Sequence, residues 1–385
     1  MTDFQRCSFA ILGESSMACL RFAAAVAAMM VAASGAIPLN ALAQAKPFYE
    51  GKTISMMNNY PPGGPSDIEG RLFARYLPKY IPGNPTIIFK NMGGAGGLTA
   101  FNWLAEVAKP DGLTTSFYTW NPVIQLVEDP ALRVPFHKFV FVAGVSAPVV
   151  AFIRKDVEPG INKPSDFLKA RNFKIAGLSD VQLHDVRHRI SLDLLLGPVY
   201  QNVTGFAGFA PMFKAIAQNE VQFSSSSTPG YEGAVVPTLV NPGLVVPIFQ
   251  YETVTADGRF IRSPHVPNLP TWLELYKEKN GKNAMPSGMA WEALKLMNLL
   301  YSNMLRTVLL PPGSPPEAQK ILGEAFVALS RDKEFIAEYL KIVKAPPDMV
   351  AGAEGQKIIN ALATVDPILV SFLKEYVAKA QAQRK

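Results

Sequence analysis

The sequence predicts an α/β protein built of two lobes, and three observations carry that prediction. Residues 53–108 read twice as strand, glycine-rich turn, helix. A second set of alternating strand and helix patterns begins beyond residue 149. The chain has 385 residues, whereas a single hydrophobic core stops growing near ~250 to 300 residues.

The first unit opens on a β-rich run, residues 53–58, which ends in Tyr60-Pro61-Pro62-Gly63-Gly64-Pro65-Ser66-Asp67. Ile68, Leu72, Tyr76, Leu77 and Tyr80 then recur at helical spacing. Ser66 with Glu69 three residues on matches a capping box, which places the helix start there. The second unit runs from residues 86–90 through Asn91-Met92-Gly93-Gly94-Ala95-Gly96-Gly97 into a helix over residues 98–108. Residues 115–118 form the third strand, and Tyr118 to Pro122 its edge loop. Such alternation argues for parallel strands with ligands bound at their C-terminal edge.

Glycine turns at that edge suit an anion. Each helix N-terminus leaves N–H groups unpaired and carries about half a positive charge, and a chain without Cβ admits close approach. The backbone around Pro62, Gly63, Gly64, Gly94, Ala95 and Gly96, with Ser66 beside it, is the first lobe's share of the expected site. One such turn alone would more often just redirect the chain. Asp67, a carboxylate at a helix start, reads chiefly as stabilising that helix. Tyr60 and Trp120 stand at strand edges, where an aromatic ring either stacks on a ligand or packs in the core.

Residues 139–145 and 149–155 are β-rich and broken by Ser146, Ala147 and Pro148, where the chain is expected to cross between lobes. Residues 164–170 read as a short helix, 173–176 as a strand and 182–196 as a helix stopped by Gly197 and Pro198. Residues 199–206, 211–219 and 221–223 read as strand, helix and strand, the last running into Ser224, Ser225, Ser226, Ser227 and Thr228. That hydroxyl tract at a strand end is either a ligand donor set or a polar loop. Residues 244–250 lead back to the first lobe, and helices follow over residues 287–306, 315–330, 332–344 and 366–385. The first lobe is therefore expected over residues 44–146 and 251–385 and the second over 147–250. Hinges fall near residues 146–150 and 247–252.

The first 43 residues read as a leader. Arg6 and Arg21 precede a small apolar run, and Ala41-Leu42-Ala43 supplies a signal-peptidase pattern, with Ala43-Gln44-Ala45 two residues later. Both cysteines, Cys7 and Cys19, precede that cut, so the mature protein would have no thiol for disulfide, nucleophile or metal. The net charge of +6 is scattered and forms no Lys/Arg block, which argues against nucleic acid. Mild positive charge fits an anionic solute, and equally plain solubility.

The quoted turns, with Pro110-Asp111-Gly112-Leu113-Thr114, resemble the Bug or TctC family of solute receptors of tripartite tricarboxylate transporters. Val203-Thr204-Gly205-Phe206-Ala207-Gly208, Val266-Pro267-Asn268-Leu269-Pro270-Thr271 and Pro311-Pro312-Gly313-Ser314-Pro315 resemble its later segments, so the likeness spans nearly the whole mature chain. The resemblance implies a two-lobed periplasmic binding protein fold of type II, with parallel-rich sheets flanked by helices. It also implies a periplasmic monomer without cofactor, and a small carboxylate held between the lobes through ordered waters. Delivery to membrane permease subunits follows from it, and a co-sensor for a signalling receptor is the alternative. Lobe-two contacts are expected from Ser179, His184, Gly205, Phe206 and Ser225. Here the chain departs from the family's Ser-Gly-rich turn: it has Gly177, Leu178, Ser179 and Asp180, and Asp180 stands to repel a second carboxylate.

His184 and His188, four apart on one helical face, have the spacing of a shared metal site. Asp185 replaces the zincin glutamate, Arg187 adds a repelling charge, and no third ligand is evident, so none is expected. Nucleophile-elbow, Walker and dinucleotide motifs do not occur, and no catalytic residue is expected.

Overall fold

A computed structural model of the chain describes residues 46–254 and 259–383. The expected leader and cleavage motifs and both cysteines lie outside the described residues.

Strand β1 (Thr53–Asn58) leads to helix α1 (Pro65–Tyr76), whose N-cap is Gly64 with Pro65 in its first turn. Proline suits that position because its absent N–H would be unpaired there anyway. The capping box expected of Ser66 and Glu69 does not form: Ser66 lies inside the first turn, and Glu69 is fully buried on the core face. Strand β2 (Thr86–Asn91) pairs parallel with β1. Gly70 lets α1 lie on it, since a Cβ there would sit 2.4 Å from the Phe89 ring. Helix α2 (Leu98–Glu106) and strand β3 (Thr114–Ser116) complete a parallel sheet of order β2-β1-β3. Strand β4 (Tyr118–Thr119), helix α3 (Pro122–Leu126) and strand β5 (Val140–Ser146) follow.

The chain then enters another sheet. Its elements are β6 (Val149–Arg154), β7 (Phe173–Ala176), helix α4 (Leu183–Leu195), β8 (Tyr200–Val203), helix α5 (Phe209–Ala217), β9 (Phe223–Ser227) and β10 (Val245–Gln250). The order is β10-β6-β9-β7-β8, with β7 parallel to β8 and β9 and β6 antiparallel to its neighbours. The serine tract is β9 itself, buried throughout, not a loop beyond a strand. Phe223 anchors the run in the core and the ladder to β6 takes up its backbone.

After β10, β11 (Thr253–Val254) and β12 (Phe260–Ile261) pair antiparallel. Helices α6 (Trp272–Asn280) and α7 (Met289–Met304) precede strand β13 (Arg306–Leu310). Then come helix α8 (Pro316–Leu329), helix α9 (Lys333–Val343), strand β14 (Asp348–Ala351), helix α10 (Ala353–Ala361) and helix α11 (Pro367–Ala382). Strands β13 and β14 rejoin the first lobe in the antiparallel order β14-β5-β13-β4. Arg306 thus opens a strand where the periodicity predicted the end of a helix. The β-favouring Thr307 and Val308 beside it are fully buried.

Each lobe has its own core. Phe73 packs against Phe117, Phe326 and Phe335 in the first, and Phe152 against Phe213 in the second. A further cluster joins Met57 and Trp120 to Phe223, Phe249, Trp272 and Met297, so apolar packing runs from one lobe into the other.

Candidate functional site

The two glycine turns are tied together by Asp67. Its Oδ2 accepts from the Gly63 N–H at 3.0 Å, and its Oδ1 from Arg71 Nε at 3.1 Å and Asn91 Nδ2 at 2.9 Å. Burial works to raise the Asp67 pKa, and the hydrogen bonds from Arg71, Gly63 and Asn91 overcome it, leaving the carboxyl below its ordinary range. The donor set read from sequence shrinks accordingly. Pro62 has no N–H to offer, and that of Gly63 is occupied.

Across the cleft the lobes touch. The Gly96 carbonyl accepts from Tyr60 Oη at 2.9 Å and from Gln182 Nε2 of the second lobe. Pro61 lodges between Gly93 and Gly208, where an added Cβ would lie 2.9 and 3.0 Å from its ring. Asn121 caps the other lobe's helix: its Oδ1 accepts from the Leu183 N–H at 2.9 Å and its Nδ2 donates to the Val181 carbonyl at 3.2 Å. Gly94 at φ 130°, Ala95 at φ 47° and Gly96 at φ 62° shape the turn that meets Gln182.

Between the lobes is a cavity of about 20 Å³ lined by Pro65, Thr119, His184, Arg187, Phe209, Ser226, Ser227 and Arg306, among others. That is room for about one water. Of the residues singled out from sequence as ligand contacts, His184 lines it, with Ser226 and Ser227 of the hydroxyl tract, and no glycine of the two turns does. Ser225 turns to the histidines instead: its Oγ lies 2.7 Å from His188 Nε2 and its carbonyl 3.3 Å from His184 Nε2. Burial, then the neighbouring His184, Arg187 and Arg189, pushes the His188 pKa well below its usual value, so the ring is neutral. Among the described residues no cluster of three His, Cys, Asp or Glu side chains suits a metal ion.

Trp120 is not a stacking platform. It is fully buried and packs edge-on to Phe136 at 6.0 Å, because the two-residue strand β4 turns it into the core. Asp180 does not act as a free repelling charge, since Arg189 Nη1 donates to it at 2.9 Å in a buried pair. Ser179, Gly205 and Phe206 sit in turns bonded within the second lobe. The Ser179 carbonyl accepts from Gln182 N, Gly205 N donates to Leu178 O at 3.2 Å, and Phe206 N donates to Gly177 O at 3.3 Å.

Two arginines outside the ligand contacts expected from sequence line the cleft. Arg306, 2 % exposed, donates to Glu69, to Thr119 Oγ1 at 2.8 Å and to Ser227 Oγ at 3.0 Å, bridging the lobes. Arg187, 1 % exposed, lies between the rings of Tyr251 and Tyr301, with its guanidinium carbon 3.8 and 4.6 Å from their centroids. The signal for Arg187 was present: it falls on the stripe Leu183, Val186, Arg187, Ile190, a core face where a charge is out of place. Arg187, Val149 and Tyr301 also wall a second, larger cavity of about 450 Å³ beside the strand crossings.

No family model and no curated protein matches the chain. Solved structures do. The periplasmic binding protein BugD superposes with a TM-score of 0.62 at 17 % identity, covering 85 % of this chain and 98 % of its own. MatC from Rhodopseudomonas palustris with bound malate gives 0.58 at 20 % identity, covering 85 % and 99 %. Another R. palustris protein, with adipate, gives 0.63 at 17 % identity, covering 86 % and 97 %. The chain therefore has the two-lobed α/β fold of periplasmic binding proteins, the fold that BugD shares.

Proposed function

We propose that this chain is an extracytoplasmic solute receptor of the Bug or TctC kind. It would bind a small carboxylate between its lobes and deliver it to the membrane subunits of a tripartite transporter. One observation carries the reading: two lobes on separate sheets close over a polar cleft walled by buried Arg187 and Arg306 and the hydroxyls of Thr119, Ser226 and Ser227. The sequence motifs of the glycine turns, and neighbours solved with malate and adipate, support a carboxylate ligand and a periplasmic address. The crossings near residues 146–150 and 247–252 serve as hinges in this reading, with lobes over residues 44–146 and 251–385 and over 147–250. Opening there parts Gln182 from Gly96 and admits the solute; closure shifts the population to the state the permease reads. No step requires catalysis.

The test is thermal unfolding after a denaturing wash, against mono-, di- and tricarboxylates and their amides. An acid at a hundred times its dissociation constant adds about 2.7 kcal/mol. Stabilisation by one acid class and not its amides supports the reading, and a flat response to every acid removes the carboxylate assignment.

A further inference from the structure

We infer that the 450 Å³ chamber beside the strand crossings holds the ligand's carboxylate, with Arg187 as its anchor, and that it selects a monoanionic acid with an apolar body. The inference rests on the receptor reading and moves the anchor away from the glycine turns.

Arg187 carries the argument. Its Nε and Nη2 find no hydrogen-bond partner among the described residues, although the side chain is almost wholly buried. A buried guanidinium without a carboxylate is costly, and the stacked tyrosine rings offset that only in part. No acid hydrogen-bonds these two atoms: Asp185 Oδ1 accepts from the Leu178 N–H at 2.8 Å, and Glu252, near enough to favour the guanidinium's charge, accepts from Leu273 N and from Asn298 Nδ2 at 2.9 Å. A second orphan lines the same chamber, because Thr228 is 1 % exposed and its Oγ1 is unpartnered. In this closed form both groups are shut off from solvent, so a carboxylate pairs with the guanidinium fork and the hydroxyl only once the chamber wall gives way to it.

The chamber is of small-molecule size, whereas the cavity between Thr119, His184 and Arg306 holds about one water. Both abut Arg187, so one arginine senses either space. Asp348 also lines the chamber and opposes a second carboxylate. Val343, Ala345, Pro346 and Tyr339 offer an apolar wall for the rest of the ligand.

Calorimetric titration of the refolded protein with hexanoate, benzoate, adipate and hexanamide tests this, using Arg187→Lys and His265→Trp. Lysine keeps the buried charge and loses the fork; His265 is a half-buried chamber residue, so tryptophan there fills the space without cutting the core. Expected are tighter binding of hexanoate or benzoate than of adipate, no binding of hexanamide, and a tenfold or greater loss in both variants. Should an acid bind the parent protein and both variants within twofold, or adipate bind tightest, the inference falls while the receptor reading stands. Failure of every acid with the parent protein removes both. If Arg187→Lys does not fold, His265→Trp decides alone.

Discussion

Arg306 and Glu69 form a fully buried ion pair at 2.8 Å between residues 237 positions apart, joining strand β13 to helix α1. Tyr339 donates to the other Glu69 oxygen. Burial raises the Glu69 pKa, against the pull of Arg306 and Tyr339 toward the charged form. Removing one partner leaves the other charge buried and bare, which costs about 3 to 5 kcal/mol. Arg306→Met should lose that much in urea unfolding, and pairing it with Glu69→Leu should recover most of it. A double variant no more stable than the single would show that Arg306 acts through Thr119 and Ser227 instead.

The α/β alternation was legible because it rests on local periodicity and glycine turns, as in β1, α1 and β2. What the sequence concealed depends on partners far along the chain. Glu69 looked like half of a capping box because Ser66 stands three residues before it, and only the fold brings Arg306 to it. Trp120 looked like a cleft aromatic because a strand edge says nothing of which way a ring turns. Arg187 was visible as a charge on an apolar stripe, yet the rings that sandwich it come from residues 251 and 301. Strand β13 was hidden by an apolar helix that runs almost into it.

Pro61 fills the space between Gly93 and Gly208, so closure depends on the absence of side chains there. Gly208 has an extended backbone, φ 172°, and Val adds bulk without backbone strain. Overpacking costs about 1 to 3 kcal/mol, levied here on the closed state alone. Gly208→Val should therefore weaken ligand affinity about 10- to 100-fold while leaving the unfolding midpoint of the ligand-free protein nearly unchanged. At a ligand concentration that closes the parent, small-angle scattering should show a larger radius of gyration for the variant. A variant as compact and as tight as the parent would dissociate Pro61 packing from closure.

Trp120 belongs to the core, and its Nε1 has no hydrogen-bond partner among the described residues. Trp120→Phe removes that orphan and some volume, whereas Trp120→Ala opens a cavity costing about 3 to 5 kcal/mol. Both should leave the parent's ligand affinity unchanged within a few-fold at temperatures where they are folded. Selective loss of aromatic acid binding in Trp120→Phe, at intact stability, would return Trp120 to the cleft.

Two buried groups give stability opposite pH dependences. Burial pushes the Glu252 pKa from 4.5 up to about 7, so the folded state holds its proton more tightly than the unfolded chain. That contribution is complete below pH 4.5 and is lost as pH rises to about 7, worth roughly 3 kcal/mol. His188 is depressed from 6.5, so its contribution is complete above pH 6.5 and is lost as pH falls below it. Glu252→Gln should flatten the alkaline loss: Asn298 Oδ1 is unpartnered among the described residues, so a flip of that amide accepts the new N–H. His188→Gln should flatten the acid side instead. Denaturant melts from pH 4 to 8 on the three proteins separate the terms. An unchanged slope between pH 5 and 7 in Glu252→Gln would mean that its carboxylate is already ionised in the folded state.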